Sequence, residues 1–224
     1  MLRHLEAVGF DAAPRVVGSG FDEQNRETVS YVQGWSAHPR AWPEPILPVI
    51  SRMLRDLHHA TRDFDEGSGG WQHWFGRTLG GLDRVIGHCD MGPWNILVAN
   101  DNASVTFIDW ETAGPVDPMV ELAQTCWLNA QLHDERIAEI QGLPDPRNRG
   151  AHMALILDGY ELPRAQRTRI VDLMIDLSIT DAADQARTVA PDDITSDHLW
   201  AISWRARSAG WIVQNRDLLI QTIR

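Results

Sequence analysis

The sequence predicts an α+β fold, and three observations carry that prediction. Two short strand-like stretches stand near the N-terminus, at 14–17 and 27–32. A strand, loop, strand, turn and returning strand follow one another over 85–109, set among helical stretches. Beyond Asp117 the chain reads as helix only, and β elements followed by helices are the α+β order rather than the alternation of a parallel sheet.

The elements come in this order. Residues 2–8, LRHLEAV, form a short helix that Gly9 can close. Pro14 to Val17 is a strand, GSGFDEQNR at 18–26 a turn, and ETVSYV at 27–32 a second strand that alternates polar and apolar until Gly34. The proline-rich HPRAWPEP, 38–45, connects to a helix from Ile46 to about Ala60, whose Ile46, Val49, Ile50, Met53, Leu54 and Leu57 recur at helical spacing. After a Gly-rich break at 66–70 comes VIGHCDMGPWNILV, 85–98, a polar loop between two apolar strands. Asn100-Asp101-Asn102 is a turn signal and SVTFID, 104–109, the returning strand. Asp117 can cap a helix that Pro118 opens, and further helices are expected near 148–160, 163–188 and 196–220.

Composition narrows the function. With 43% hydrophobic and 23% charged residues, the chain is globular, and 224 residues suffice for one large domain or two small lobes. No apolar run reaches the roughly 18 residues of a membrane span, so no membrane partner is expected. The N-terminus lacks the pattern of a secretory signal, and two cysteines make no disulfide framework, which points to the cytoplasm. The net charge of −11 argues against nucleic acid and would favour a cationic small molecule. All 20 Lys+Arg residues are arginine.

The 85–98 stretch carries the chemistry. If the turn centres on Asn102, Asn95 lies opposite Asp109, at the open end of the hairpin and beside Asp90. Two carboxylates and an amide then converge. Hard oxygen donors with open positions suit Mg²⁺, which keeps waters and substrate phosphates as its other ligands. Asp90 can accept or orient the proton of a substrate hydroxyl. The plainer alternative is turn chemistry, since Asp and Asn bond their own backbone. A hydrolytic metal site built on His58, His88, Asp90 and Asp109 has no HxxxH or HExxH spacing behind it. His58, His59 and His88 read as structural, and Cys89 as a packing residue. Asp172, Asp176, Asp181 and Asp184 read first as a solvated helix face and second as an acidic wall for a cationic substrate. Trp200, Trp204 and Trp211 read as core packing rather than as a cage for a quaternary amine.

HCDMGPWNIL followed by FIDWETAGPVDPMVELA resembles the aminoglycoside phosphotransferase and choline kinase group of small-molecule kinases, which share the protein-kinase fold. The Asp90-to-Asn95 spacing matches the kinase catalytic loop, His88 stands where that loop also carries a His, and Asp109 matches the metal aspartate. LRDLHHAT, 54–61, resembles the segment whose His58 packs under the catalytic loop, and SYVQG, 30–34, resembles the hinge. The resemblance runs from about residue 1 to 125. It implies transfer of the γ-phosphate of ATP, or another nucleoside triphosphate, to a hydroxyl of a small molecule. Asp90 would be base or orienter, Asn95 and Asp109 would hold Mg²⁺, His88 and His58 would support the loop, and Ser30, Tyr31 and Val32 would receive the nucleobase. The fold so implied is mainly the helical C-terminal lobe, 35–224, with residues 1–34 as a remnant of the N-terminal β lobe.

The family also carries a Gly-rich loop and a lysine on the third strand that anchors the ATP phosphates. Neither is present in these 224 residues. Arg3 or Arg15 could reach a phosphate, although arginine is no like-for-like substitute for lysine. A start upstream, a natural truncation, and an inactive kinase-like protein that binds a small molecule or a protein are three readings of this. The edge of the two-strand remnant offers a docking site for a second copy of the chain.

Overall fold

The structure, a computed structural model, describes residues 1–65, 67, 70–190 and 194–224, so the expected Gly-rich break at 66–70 lies largely outside the described residues. Helix α1 (Leu2–Ala7) buries Leu2 and Leu5, and Gly9 follows it with φ +76°. Strand β1 (Val16–Phe21) pairs antiparallel with β2 (Glu27–Val29). This corrects the expected layout. The strand starts two residues late and runs on through 18–21, and the turn is confined to 22–26, where the Asp22 carboxylate accepts the N–H groups of Gln24 and Arg26. Gly18 and Gly20 hold positive φ (+58° and +95°) within β1 and the register shifts there, so an irregular, Gly-rich strand shows no alternation to read. Strand β2 is also shorter than expected. Past Ser30 the chain leaves the sheet, and Trp35 pairs instead with Val98.

Helix α2 (Leu47–Ala60) follows a 3₁₀ turn at Glu44–Ile46 and buries Ile50, Leu54, Leu57 and His58 along one face. Strand β3 (Val85–Gly87) enters the polar loop, β4 (Ile96–Val98) leaves it, β5 (Val105–Phe107) returns, and β6 (Gly114–Val116) pairs back onto β3. The β4–β5 register pairs Ile96 with Phe107, one residue off the expected alignment. The cause is a four-residue turn, 100–103, in which Ala99 donates to Ser104 and Asn102 takes φ +58°. Asn95 therefore faces Ile108, whose N–H it accepts at 2.9 Å, and Asp109 follows with φ +62°.

The remaining helices are α3 (Pro118–Asn129), α4 (Glu135–Gln141), α5 (Pro146–Gly159), α6 (Arg164–Thr188), α7 (Ser196–Gln214) and α8 (Arg216–Ile223). Asp117 caps α3 as expected, its carboxylate accepting the Met119 N–H at 2.8 Å. Every residue of α3 from Val120 to Asn129 is buried, polar ones included. One apolar cluster runs from Leu2 through α2, the hairpin and α3 to Ile223, so the N-terminal segment shares its core with the helices. Among the described residues no helix is long and apolar enough to cross a membrane.

Candidate active site

The loop between β3 and β4 presents Asp90. Its Oδ2 accepts the Asn95 amide at 2.7 Å and the Trp94 indole N–H at 3.3 Å, and the same Asn95 amide donates to the Asp90 carbonyl at 3.1 Å. Asn95 is buried and Asp90 half-buried. Burial pushes the Asp90 carboxyl above its ordinary range and the charge of Asp109 adds to this, while Trp94, His88 and Asn95 pull the other way.

His88 fixes the loop to the hairpin. It is fully buried, its Nε2 meets the Ile108 carbonyl at 2.8 Å, and its Nδ1 accepts the Asp90 N–H at 3.3 Å. Burial pushes it towards the neutral form, so Nε2 carries the proton and donates. His58 acts one step further back. Its Nε2 meets Glu121 Oε2 at 2.7 Å and its Nδ1 meets the Tyr160 hydroxyl at 2.7 Å. The other oxygen of Glu121 accepts the Cys89 N–H at 2.6 Å, where the loop takes φ +66°. Burial acts upward on the Glu121 carboxyl, but His58 and the Cys89 amide together hold it below the usual range.

Glu121 was not singled out from the sequence, nor were its neighbours. Gln124 accepts the Met91 N–H at 3.2 Å and donates to the Cys89 carbonyl at 3.3 Å, and Asn129 donates to the Met91 carbonyl at 2.7 Å. Helix α3 thus grips both sides of the Asp90 peptide. The readable signal was PMVELAQTCWLN, a mostly apolar helix whose Glu121, Gln124, Thr125 and Asn129 recur at i, i+3, i+4 and i+8 and so share one narrow polar stripe. Gly87 lets this helix close in, since a Cβ there would collide with the Glu121 carboxylate and Val116. Cys89 is a packing residue, fully buried with its thiol pushed well up by desolvation.

Asp109 makes no hydrogen bond or ion pair among the described residues, and it lines a cavity of about 560 Å³ between the hairpin and the β1–β2 sheet, with Phe21, Glu27, Val29 and Glu111. No Arg or His lines this cavity. Among the described residues no three His, Cys, Asp or Glu side chains converge to hold a metal by themselves. The uncommitted Asp109 carboxylate suits Mg²⁺, which draws its other ligands from water and phosphate; the Asn95 side-chain oxygen would be a second donor, but Asn95 is not among the residues that line this cavity. Of the expected hinge, Ser30 is tied to Arg15, whereas the backbones of Tyr31 and Val32 make no hydrogen bond among the described residues. Arg3 is engaged with the Gly18 carbonyl and Arg15 with Asp11 and the Phe10 carbonyl, so neither is a free phosphate anchor.

On the other side of Asp90, a cavity of about 260 Å³ is lined by Cys89, Asp90, Asp181, Asp184 and Arg205. The acidic face of α6 is therefore split. Asp176 is exposed and Asp172 pairs with Arg216, as a solvated face would, whereas Asp181 is buried. Arg205 Nε lies 2.6 Å from Asp181 Oδ2, yet Asp181 Oδ1 has no donor. Burial pushes Asp181 up from 3.8 to about 6 despite that arginine. Between those values the folded chain holds a proton that the unfolded chain has released. Asp181 thus makes stability decline as pH rises from about 4 to 6. Urea midpoints measured across this range are expected to fall less steeply for Asp181→Asn. Of the tail tryptophans, Trp211 is buried in the core as expected, but Trp200 is 55% exposed.

A family model described as "Phosphotransferase enzyme family" matches residues 69–152, the stretch that holds the loop, the hairpin and α3. The chain is 50% identical over 222 residues to a trifolitoxin immunity protein of Rhizobium leguminosarum bv. trifolii, spanning 98% of this chain and 85% of that one. Among solved structures, an amicoumacin kinase in complex with AMP-PNP and Ca²⁺ superposes with TM-score 0.65 at 11% identity, over 93% of this chain and 75% of that one. A choline/ethanolamine kinase family protein from Mesorhizobium loti superposes with TM-score 0.63 at 15% identity, over 100% of this chain and 80% of that one. These two likenesses establish the kinase-like fold.

Proposed function

Because the chain belongs to the phosphotransferase enzyme family, we propose that it transfers the γ-phosphoryl group of ATP, or of another nucleoside triphosphate, to a hydroxyl of a small molecule. The observation that carries this is the Asp90 carboxylate, held by Asn95 and Trp94 at the edge of a cavity and raised in pKa by burial. A carboxylate whose proton affinity is raised by desolvation is, when ionised, a better proton acceptor than an ordinary aspartate. Asp90 takes the acceptor's hydroxyl proton as the new O–P bond forms and the bond to the β-phosphate oxygen breaks, leaving the nucleoside diphosphate. Asn95 and Asp109 would hold Mg²⁺, which when bound supplies the charge that neutralises the phosphates. Tyr31 and Val32 offer free backbone groups to the nucleobase edge. His88 donates to Ile108 and so holds Asp90 in register with Asp109. The acidic lining beside Asp109 makes the metal the chief partner of the phosphates, since no lysine exists in the sequence. The relative's name supports a toxic compound as the acceptor, inactivated by phosphorylation.

A second reading has its own support. The absence of lysine and of any cation lining the Asp109 cavity favours a kinase-like chain that binds its small molecule without turning it over. Calorimetry with ATP and Mg²⁺ separates the two. Binding that requires the metal, and that Asp109→Ala abolishes, is expected for the phosphotransferase. A folded chain that binds no nucleotide would leave only the binding module.

A further inference from the structure

Next to Trp94 the surface opens into a second cavity, of about 450 Å³, in the range of small-molecule sites. Trp94, Trp200 and Trp204 form its aromatic walls. Trp94 is 40% exposed and its indole N–H is the one that reaches Asp90 Oδ2 at 3.3 Å, so the cavity abuts the reactive carboxylate. Two lining residues carry polar atoms without a partner. His133 is 5% exposed and its Nδ1 is buried and unpaired, and the Oε1 of Gln141 is likewise buried and unpaired. Buried polar atoms almost always have partners, and leaving one without is costly. Two such atoms on residues that line one aromatic cavity leave hydrogen-bonding capacity unused beside it.

The charge around the cavity is equally specific. Among the described residues no carboxylate lines it. Its cation, Arg205, is already matched by Asp181. Burial, together with the charges of Arg149 and His38, pushes His133 down to about 3, which leaves a neutral imidazole at physiological pH. An ammonium on the tryptophans would find aromatic faces but no carboxylate among the described lining residues, with a guanidinium on the wall and Asp90 reached only at the Trp94 end.

We propose that this cavity is the acceptor subsite and that it takes an uncharged, planar aromatic molecule, stacked on the tryptophans with a polar group on His133 and Gln141 and its hydroxyl towards Asp90. The orientation of the hydroxyl rests on the phosphotransferase reading; the binding does not. The consequence departs from the cationic substrate that the net charge of −11 favours, because among the described residues no acidic side chain lines this cavity.

Three probes share a 4-hydroxyphenyl body and differ in charge: 4-hydroxyphenylacetamide, tyramine and 4-hydroxyphenylacetate. Calorimetric titration of the full chain, without nucleotide or metal, is expected to give binding for the neutral amide and at least tenfold weaker binding for either charged analogue. Trp200→Ala removes a half-exposed wall and Gln141→Leu removes one of the unpaired acceptors; each is expected to weaken the amide about tenfold with unfolding midpoints unchanged. Either charged analogue binding as tightly as the amide, unchanged affinity in both variants, or no amide binding to the folded chain would overturn the inference. Phosphorylation of a cationic acceptor by a chain that does not bind the amide would overturn it too, and leave the phosphotransferase reading intact. Amide binding that persists in Asp90→Asn is expected, and keeps the subsite separate from catalysis.

Discussion

Asp90→Asn is expected to lower the rate of phosphoryl transfer by about 10²–10⁴-fold, the usual contribution of a positioned proton acceptor. The substitution is isosteric. An asparagine oxygen can still accept from the Trp94 indole and the Asn95 amide, so the loop keeps its shape. Stability is expected to hold or rise. Burial raises the Asp90 carboxyl in the folded chain, so at neutral pH its ionised form weighs against folding. Loss of turnover with an unchanged or higher urea midpoint is therefore the expected pair of results, a trade of stability for function. The pH profile of kcat/KM in the parent chain is expected to fall on the acid side, with a midpoint above the ordinary aspartate range. Retained turnover in Asp90→Asn would remove Asp90 from the chemistry.

Glu121→Ala is expected to be the most destabilising single change near the site. Glu121 is fully buried and serves two donors, the His58 Nε2–H and the Cys89 amide, and the alanine would leave both of these N–H groups without their partner. Breaking a buried pair of this kind costs about 3–5 kcal/mol, and urea unfolding reads it directly. The effect depends on pH in a defined direction. The folded carboxyl ionises below its usual 4.5, so its contribution is complete above that value and is lost on acidification. The gap between parent and variant should narrow as pH falls below about 4.5. Glu121→Gln keeps an acceptor for Cys89 and is expected to fall between the two. A gap that persists unchanged into acid would mean that the carboxylate's charge is not what holds the loop.

The legible part of this molecule was local. Asp117 and Pro118 announced the start of α3, and the helical spacing of Ile50, Leu54 and Leu57 announced α2. The polar loop between two apolar runs stood out because its His, Asp and Asn keep the spacing of a kinase catalytic loop, which turn chemistry alone does not require. Other features were set by geometry that a sequence does not display. A four-residue rather than a three-residue turn moved the hairpin by one residue, placing Ile108 and not Asp109 opposite Asn95. Positive φ at Gly18 and Gly20 hid β1 as a turn. Glu121, Gln124 and Asn129 were overlooked because their partners lie 32 to 38 residues away. Asp181 looked like part of a solvated stripe, and only the packing of α7 against α6 turned it inward.

The grip of α3 on the 89–91 peptide also has a bearing on how the chain comes into being. The segment with Asp90 leaves the ribosome well before the residues that give it shape, since Glu121, Gln124 and Asn129 follow it and the Tyr160 that steadies His58 comes later still. During synthesis the nascent loop has only its local partners, Trp94, Asn95 and then Ile108, until the helix arrives. The reactive carboxylate therefore acquires its geometry late, in the same event that closes the core around α3, and a half-made chain carries the site's residues without the site.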